Sequence, residues 1–576
     1  MRKCVSAAAV LLVAGLTAQV PALAQNPAAQ PPAAPAAIFQ TFRPVTTAML
    51  EKPDPGDWLH WRRTLDNWGY SPLNQINRGN VAQLQLVWAS PTLPGANQAA
   101  PLVHDGVMFV PETPGVVQAF DAATGDLLWE YTKKFEASPD YSWGARTRTM
   151  AIYGDKVYIG TPDAHLVALN AKTGAVAWDR TVGDYKMGFR YTSGPIAVKG
   201  KIVAGMTGCE RYKPDVCFIS AHDPETGHEL WRFHTVAKKG EKGGESWGDL
   251  PDNKRSGGDV WIPGSYDPVT NLMYWSTANP KPWARVSRKL DAQEALYTNS
   301  VLAINPDTGT LAWHYQVLPA ETHDYDEVFE NVLVDHDGQS SLFKMGKLGI
   351  LWEIDRKKGS FRLGADLGFQ NAVEFNRKTG QITYIPSMIP KLNEPVNICP
   401  AMGGVRNWQA SAYSPETQAL YIPIHPNCEL AKFGEVKDEN TGNFHFYGNP
   451  ALNGVTHLER SGYPGVPERG QIVAMSIRGE VIWRQKLTAG GSPSSLTLGG
   501  GLLVTADADR YLYFMDVKDG RILYKTRLPS TPTGFPISYA VNGRQYVAVP
   551  VAARQPVAGN AMYVFAVPDG KPAPRR

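Results

Sequence analysis

The stretch AFDAATGDLLW, residues 119–129, recurs along this chain with small changes. It combines an apolar strand end, a turn of the form Asp-x-x-Thr-Gly, and a second strand that leads to an aromatic side chain. An Asp or Asn side chain can close such a turn onto its own backbone, and glycine takes the positive φ that β-branched residues avoid. Three near copies are ALNAKTGAVAW, AHDPETGHELW and AINPDTGTLAW, at residues 168–178, 221–231 and 303–313.

Looser copies continue the phrase toward the C-terminus, and their spacing predicts the fold. The copies recur at roughly 40 to 60 residues, the period of a propeller blade of about four strands. We therefore expect an all-β fold, an eight-bladed β-propeller with repeated Asp-x-x-Thr-Gly…Trp motifs and long insertions on one face. Unrelated β-sandwiches are the weaker alternative, because they would not repeat one phrase. The looser copies are SYDPVTNLMYW, EIDRKKGSFRL, AYSPETQALYI, AMSIRGEVIW, FMDVKDGRILY and FAVPDG.

Composition excludes some function classes. The chain has 576 residues, which is too long for one small core and suits either several domains or one large repetitive domain. Its net charge of +3 is only mildly basic. The Lys and Arg residues are scattered, without a basic block or a basic-aromatic stripe, so we expect no nucleic-acid partner.

The N-terminus has the pattern of an export signal. The chain starts with the basic MRK, continues with the apolar AAAVLLVAGL and reaches ALA, which fits a small-x-small cleavage site. No stretch reaches the roughly 20 apolar residues of a membrane span. We therefore predict a signal peptide at 1–24, a Pro/Ala-rich linker at 25–45 and one propeller domain at 46–576. The mature protein is expected in the periplasm if the organism is Gram-negative.

The cysteines fit an oxidising compartment. Cys4 belongs to the predicted signal, and Cys209, Cys217, Cys399 and Cys428 remain as an even number. Disulfides are the default expectation for such a set, and their pairing is left open at this point. A zinc site lacks the paired Cys-x-x-Cys spacing, and the absence of Cys-x-x-Cys-His argues against covalently attached c-type haem.

Two longer stretches resemble a known family. DWLHWRRTLDNWGYSPLNQINRGNVAQLQLVW (57–88) and YDPVTNLMYWSTANPKPW (266–283) are similar to segments of the alcohol dehydrogenases that depend on pyrroloquinoline quinone (PQQ). The resemblance covers nearly the whole mature chain. It implies an eight-bladed propeller that holds PQQ and a metal ion on its axis and oxidises a small alcohol to an aldehyde or ketone. It also implies that electrons pass to a soluble periplasmic cytochrome c.

The chemistry of this family explains which residue types it requires. PQQ is a flat, anionic ortho-quinone that needs an apolar floor, cationic clamps and hydrogen-bond donors at its rim. A cation at the quinone oxygen acts as a Lewis acid, and a carboxylate must take the proton of the alcohol.

The acidic stretch AETHDYDEVFENVL, residues 320–333, resembles the family's catalytic loop. The resemblance implies that Asp324 is the general base and a metal ligand, and that Glu210 and Asn279 are further ligands. Asp326 is implied as an extra carboxylate, as in lanthanide-dependent members, although oxygen ligands suit a lanthanide or Ca²⁺. Taken alone, each of these residues is more simply a loop or turn residue.

The neighbours of these residues give weaker expectations. Ala320 and His323 stand where the family has His and Trp, which leaves the pocket wall and the substrate open. Glu321 is expected to support the base. Glu327 and Glu330 are expected to be ordinary solvated loop acids.

The resemblance also implies a set of PQQ contacts. As single residues, a Trp is more often part of the core and an Arg or Lys is more often a surface charge. The implied contacts are Trp261 as stacking platform, Arg148 as carboxylate clamp, Thr192 and Thr207 as rim donors, Lys347 at the quinone oxygens, and Asn407 with Trp408 at the ring edge.

Cysteine positions add two disulfide predictions. Cys399 and Cys428 match a structural disulfide of the methanol-type enzymes. We predict a second bridge from Cys209 to Cys217 that stiffens the loop carrying the glutamate ligand. Residues 142–143 read Ser-Trp where many members have adjacent cysteines, so the ring those cysteines form is expected to be absent.

Two other functions stay open from sequence. One is a PQQ dehydrogenase for sugars or polyols, because the same base and metal would serve it. The other is a cofactor-free propeller scaffold of the outer-membrane assembly type, which would have no reason to keep the base, ligand and clamp residues together. The sequence leaves the choice of alcohol open and allows a homodimer.

Overall fold

The structure, a computed structural model, describes residues 37–93, 98–136, 146–210, 212–436, 454–467, 469–490, 494–552 and 559–568. The predicted signal peptide and residues 142–143 lie outside this part. Residues 37–45, predicted as the end of the linker, instead pack on the domain, because Phe39, Phe42 and Val45 are buried. Val45 also pairs with Gly154. The packed part of the chain thus begins by residue 37 rather than at residue 46.

Short strands make up most of the described chain. The N-terminal part contains helix α1 (Thr47–Glu51), strands β1 (Tyr70–Ser71) and β2 (Gln85–Pro91), and the 3₁₀ helices Ala37–Gln40 and Val81–Gln83. Three antiparallel sheets follow in chain order. Sheet A has β3 (Leu102–His104), β4 (Val107–Glu112), β5 (Val116–Asp121) and β6 (Leu127–Thr132). Sheet B has β7 (Ala151–Tyr153), β8 (Lys156–Gly160), β9 (His165–Asn170) and β10 (Val176–Thr181). Sheet C has β11 (Ile196–Val198), β12 (Lys201–Gly205), β13 (Phe218–His222) and β14 (Glu229–His234).

The middle of the chain adds two sheets and a small ribbon. The ribbon pairs β15 (Ser256–Gly257) with β18 (Pro280–Lys281), and helix α2 (Arg285–Arg288) follows it. Sheet D has β16 (Ser265–Asp267), β17 (Leu272–Ser276), β19 (Ser300–Ile304) and β20 (Leu311–Gln316). Sheet E has β21 (Val332–His336), β22 (Gln339–Met345), β23 (Ile350–Asp355) and β24 (Phe361–Asp366).

The C-terminal part contains two insertions and three sheets. The insertions are a hairpin of β25 (Val373–Phe375) and β26 (Ile382–Tyr384), and a sheet of β27 (Pro395–Ile398), β30 (Asn427–Phe433) and β31 (Val455–Gly462). Sheet F has β28 (Ala412–Ser414), β29 (Ala419–Ile424), β32 (Gln471–Ser476) and β33 (Val481–Lys486). Sheet G has β34 (Leu496–Leu498), β35 (Leu502–Ala506), β36 (Tyr511–Asp516) and β37 (Ile522–Arg527). Sheet H has β38 (Thr531–Pro532), β39 (Ile537–Val541), β40 (Arg544–Ala552) and β41 (Ala561–Ala566).

The two ends of the described chain meet in sheet H. Strand β2 pairs antiparallel with β41, the last strand, and β1 pairs parallel with β34 of sheet G. In sheet A, burial falls toward the last strand: β4 is wholly buried, whereas β6 exposes Leu127, Glu130 and Thr132. The last strand of this sheet therefore faces solvent, and the first strands lie inside.

Tryptophan side chains, most of them at the end of the repeated phrase, connect five pairs of neighbouring sheets. The indole nitrogen of Trp129, at the end of the phrase in sheet A, donates to the Ala171 carbonyl in the turn of sheet B at 3.0 Å. Its ring lies over Gly174, where a Cβ would come within 2.6 Å of the ring. The same hydrogen bond recurs in four further pairs, Trp88 to Ala122, Trp178 to Pro224, Trp231 to Pro306 and Trp483 to Val517.

A matched pair of glycine variants measures this contact. Gly174 and Gly154 both have positive φ, +71° and +59°, but a Cβ at Gly154 meets nothing within 4 Å. Each Gly→Ala change places a Cβ on a left-handed backbone, which destabilises the fold by about 1–2 kcal/mol. Gly174→Ala must also displace the Trp129 ring, which costs about 1–3 kcal/mol more. When both variants are heated at the same scan rate, we expect Gly174→Ala to lower the apparent Tm clearly more than Gly154→Ala does. Equal shifts would contradict a stabilising Trp–Gly contact.

Candidate active site

The topology brings the predicted site residues to one end of the sheets. In an antiparallel pair, the start of the first strand and the end of the second strand lie side by side. The predicted residues all occupy such positions. Five of them precede the first strand of a sheet: Arg148 before β7, Thr192 before β11, Trp261 before β16, Asp324 before β21 and Asn407 before β28. Three follow the second strand of a sheet: Thr207 after β12, Asn279 after β17 and Lys347 after β22. Five successive sheets, B to F, therefore supply one site.

All of these residues except Asn279 line one cavity, whose empty space is about 940 Å³ with its open mouth included. Five basic and four acidic side chains line it within the described part of the chain. The basic residues are Arg146, Arg148, Arg190, Lys281 and Lys347, and the acidic residues are Glu210, Asp259, Asp324 and Asp326.

Three oxygen atoms in the site accept no hydrogen bond from any described residue. They are Oε2 of Glu210, Oδ2 of Asp259 and Oδ1 of Asn279, and all three are buried. The nearest charged partner of Glu210 is Arg190, with its Nη2 atom 3.6 Å away. Buried oxygens without donors are costly. Such oxygens are the ligands that a hard cation prefers.

The loop that carries Glu210 is held from two sides. Oδ1 of Asp259 accepts hydrogen bonds from the backbone amides of Gly208 and Cys209 at 2.8 and 2.9 Å. The predicted bridge between Cys209 and Cys217 is present. Burial, together with the charge of Asp259, raises the pKa of Glu210 to about 7, although Arg190 and Lys281 oppose this effect. Burial thus disfavours the ionised form of Glu210, and a cation bound at its oxygens would stabilise that form.

Asp324 sits between two ammonium groups. Nζ of Lys347 donates to Oδ2 at 3.0 Å, and Nζ of Lys281 lies 3.5 Å from Oδ1. Burial raises the pKa of Asp324 to about 7, although Lys347 and Lys281 oppose this effect. Its backbone has φ of +73°, a left-handed conformation that Asp adopts more readily than most residues. Both carboxylate oxygens therefore have defined orientations.

Asp326 shares partners with Asp324. Its Oδ2 lies 2.7 Å from Nζ of Lys347, and its Oδ1 accepts the backbone amide of Asn279 at 3.0 Å. Burial opposes ionisation here as well, but Lys347 and Lys281 outweigh it, so the pKa of Asp326 lies below its usual value. Asp326 is thus an ionised carboxylate next to a proposed ligand.

Glu321 connects the two halves of the site. Its Oε2 accepts from Nδ2 of Asn279 at 3.2 Å and from the backbone amide of Asp324 at 3.3 Å. Because Nδ2 of Asn279 is engaged in this way, its Oδ1 points away from Glu321 as a free acceptor. The expected supporting position of Glu321 agrees with these contacts.

The cavity wall contains an aromatic platform beside a buried guanidinium. The Arg148 guanidinium carbon lies 5.1 Å from the Trp261 ring centroid, and its Nη1 donates to the Thr192 and Trp261 carbonyls at 3.2 Å. The Trp261 ring contacts the edge of Phe329, with centroids 5.2 Å apart. Burial lowers the pKa of Arg148, so an anion in the cavity would relieve a desolvated charge.

Comparison with known proteins decides the family. The profile of the PQQ glucose, ethanol and alcohol dehydrogenase β-propeller domain matches residues 58–361 and 468–547. The chain belongs to the PQQ-dependent alcohol dehydrogenase family. It is 31% identical over 518 residues to the quinohemoprotein alcohol dehydrogenase ADH IIB of Pseudomonas putida, covering 86% of this chain and 73% of that one. It is also 31% identical to the quinoprotein alcohol dehydrogenase PedH of P. putida, covering 83% of each chain.

Solved structures agree with this assignment. The quinohemoprotein alcohol dehydrogenase ADH IIG of P. putida HK5 superposes with a TM-score of 0.81 at 28% identity, covering 92% of this chain and 84% of that one. A europium-containing methanol dehydrogenase superposes with the same TM-score at 24% identity, covering 90% of this chain and 99% of that one. This second likeness shows a shared fold only. The predicted all-β propeller fold and the predicted enzyme class, a PQQ-dependent alcohol dehydrogenase, are confirmed.

Some expectations about the acidic stretch are wrong within this family member. Glu327 and Glu330 are not solvated, because both are about 1% exposed. Glu327 pairs with Lys344 at 3.2 Å, and Glu330 pairs with Arg406 at 2.8 Å. A buried carboxylate keeps its charge only beside such a partner. Both acids therefore belong to the support beneath the site.

The expected changes of the pocket wall also need correction. His323 is fully buried, with its Nε2 2.6 Å from the Met388 carbonyl oxygen, and Ala320 is buried beside it. Neither residue lines the cavity. Trp408 does not line it either, because its ring packs on Phe535. Asn407 does line it, and its side chain bonds to the Gly403 carbonyl.

Sequence reasoning missed five charged or aromatic residues of the cavity. Most stand next to residues that were predicted: Arg146 precedes Arg148 by two positions, and Arg190 precedes Thr192 by two. The spacing of alternate residues along an extended segment could have suggested them, since such residues share a face. The missed residues are Arg146, Arg190, Asp259, Lys281 and Trp283. The other predicted disulfide, Cys399 to Cys428, is present.

Proposed function

We propose that this PQQ-dependent dehydrogenase oxidises an alcohol to an aldehyde or ketone with one bound cation, using Asp324 as the general base. The observation that carries the proposal is the set of buried oxygens of Glu210, Asp259 and Asn279 that accept no hydrogen bond from a described residue. Glu210 and Asp259 line the same cavity as Asp324, and Asn279 directly follows the lining residue Ala278. A family member that binds PQQ in this cavity would have its reactive centre beside both the cation site and the base.

We propose that sheets A to H are the eight blades of one propeller domain and that the Trp–Gly contacts dock them. The pairing of β2 with β41 supports this count, because it ties the N-terminal end to the last sheet. Propellers are commonly built from blades of four strands. The site then lies at the inner ends of five blades.

The side chains at this site fit both PQQ and a cation. Oxygens of Glu210, Asn279, Asp324 and Asp326 would hold the cation, in agreement with the hard-oxygen ligand set. Trp261 would form the floor under PQQ, and Arg148 would bind one of its carboxylates. Lys347 would contact the quinone oxygens. Donors at the rim of the ring would be Thr192, Thr207 and Asn407. The five basic residues of the cavity favour an anionic guest. When bound, PQQ accepts the two electrons of the oxidation, and the cation polarises its carbonyl.

The protein's own part in the reaction is to hold the alcohol and move its proton. Asp324 is 7% exposed, so little water competes with a substrate hydroxyl for its oxygens. Lys347 and Lys281 favour its ionised form, against the burial that raises its pKa to about 7. A positioned carboxylate of this kind contributes about 10²–10⁴-fold to a proton-transfer step. We propose that Asp326 serves as the extra ligand that favours a lanthanide over Ca²⁺.

We further propose a periplasmic location and a separate cytochrome c as electron acceptor. Two disulfides support an oxidising compartment. The described residues contain no helix that is long and apolar enough for a membrane crossing. The sequence has no Cys-x-x-Cys-His motif for a covalently attached haem, so the electrons would leave to another protein.

Reconstitution tests the proposal. The purified chain is loaded with PQQ plus Ca²⁺ or plus La³⁺, and dye reduction is measured with a panel of primary alcohols, secondary alcohols, sugars and polyols. We expect turnover with alcohols only when both PQQ and a cation are present. Faster turnover with sugars would favour the polyol alternative. Turnover without added or bound cation would refute the metal-dependent mechanism.

A further inference from the structure

Lys281 places a positive charge inside the carboxylate cluster. Its side chain is 6% exposed, and its Nζ lies 3.5 Å from Oδ1 of Asp324. It also lies 5.3 Å from the centroid of the Trp283 ring, a cation–π distance. Lys281 follows Asn279 by two residues and lines the same cavity.

The position of this ammonium is fixed by the backbone. Lys281 lies in strand β18 and pairs with Ser256 of β15, so the segment cannot swing away from the cavity without breaking the ribbon. Its ammonium interacts electrostatically with Asp324, Asp326, Glu210 and Asp259. Its charge therefore acts on all four carboxylates that line the cavity.

A fixed positive charge repels a bound cation in proportion to the charge of that ion. At an effective dielectric constant of about 20 and a separation of about 6 Å, each additional unit of ionic charge changes affinity by roughly 100-fold. Mobile water and side-chain movement reduce this effect, so about 10-fold is a conservative lower figure. The repulsion weakens binding of a trivalent ion more than binding of a divalent ion.

We propose that Lys281 determines metal specificity by lowering the affinity of the site for trivalent ions relative to divalent ions. The inference rests on the proposed cation site. It assigns opposite effects to two neighbours: Asp326 adds a negative charge that favours a lanthanide, and Lys281 partly cancels it. Asp326 and Lys281 then shift the metal preference of this chain in opposite directions.

Metal binding by itself tests the inference. The metal-free full chain, saturated with PQQ, is titrated with La³⁺ and with Ca²⁺ in a calorimeter. We expect Lys281→Met to raise the ratio of the Ca²⁺ Kd to the La³⁺ Kd by about 10- to 100-fold over the unsubstituted chain. Lys281→Arg keeps the charge and should leave the ratio within about threefold. Lys199→Met, which removes a half-exposed surface lysine paired with Asp307, is the matched control and should not change it.

The outcomes separate the inference from the proposed function. If the unsubstituted chain binds both ions and Lys281→Met changes both affinities by the same factor, Lys281 does not select the metal and only this inference fails. The same holds if Lys281→Arg shifts the ratio as much as Lys281→Met. If neither ion binds to any variant, the proposed cation site is wrong, and the inference falls with it. Lys281→Gln is the second charge-removing variant if Lys281→Met does not fold, as judged by its Tm.

Discussion

Asp324→Asn is expected to bind PQQ normally and to lose about 10²–10⁴-fold in kcat. The amide keeps the size and shape of the carboxylate but cannot take the alcohol proton. Asn also tolerates the left-handed conformation of residue 324, φ +73°, so the backbone should not move. PQQ content is measured by absorbance and turnover by dye reduction on the same preparation.

A surface variant controls for this change. Asp291→Asn makes the same substitution at an exposed position outside the cavity and should retain full turnover. If Asp324→Asn turned over within a few-fold of the unsubstituted enzyme with PQQ bound, Asp324 would not be the base. Loss of PQQ from Asp324→Asn would instead show that the residue is needed to hold the cofactor.

Asp326→Ala is expected to abolish La³⁺-supported activity while sparing activity supported by Ca²⁺. The change removes a buried, ionised carboxylate whose attraction scales with the charge of the ion. A trivalent ion therefore loses more affinity than a divalent ion. Activity is measured after reconstitution with PQQ and each ion over a range of ion concentrations.

Asp326→Asn separates charge from shape in this prediction. Its Oδ1 can still accept the backbone amide of Asn279, which Asp326 accepts at 3.0 Å. It should therefore lose La³⁺ support as Asp326→Ala does, with less disturbance of the Asn279 segment. An equal loss under both ions in both variants would contradict the role of Asp326 as an ion-selecting ligand.

The sheets could be predicted from sequence because their signal is local. A turn such as that of residues 121–125 needs a side chain that closes onto its backbone and a glycine of positive φ, and both are visible in the letters. In the structure Oδ1 of Asp121 accepts from the Ala123 amide at 2.8 Å, and Gly125 has φ of +80°. The predicted Glu210, Asp324, Asp326 and Lys347 line one cavity, since each flanks the inner strands of its sheet, and Asn279 joins them through its hydrogen bond to Asp326.

Burial of the neighbouring acids could not be predicted from local sequence. Glu330 is paired with Arg406, 76 residues away, and Glu327 with Lys344. Nothing in ENVL or DEVF marks these partners, because Lys344 lies in β22 and Arg406 in the segment before β28. Asp259 was missed for a related reason: its role depends on the amides of a loop about 50 residues earlier. Charged groups acquire their roles from the packing of the whole fold.

We propose that one cavity of this enzyme holds PQQ and a cation together. The most direct measurement is the PQQ and metal content of the active enzyme, by absorbance and by inductively coupled plasma mass spectrometry. The account predicts one cation per PQQ, and loss of the cation in Asn279→Ala, which removes the unpartnered Oδ1. Active enzyme that contains PQQ without a matching cation, or an undiminished cation in Asn279→Ala, would contradict it.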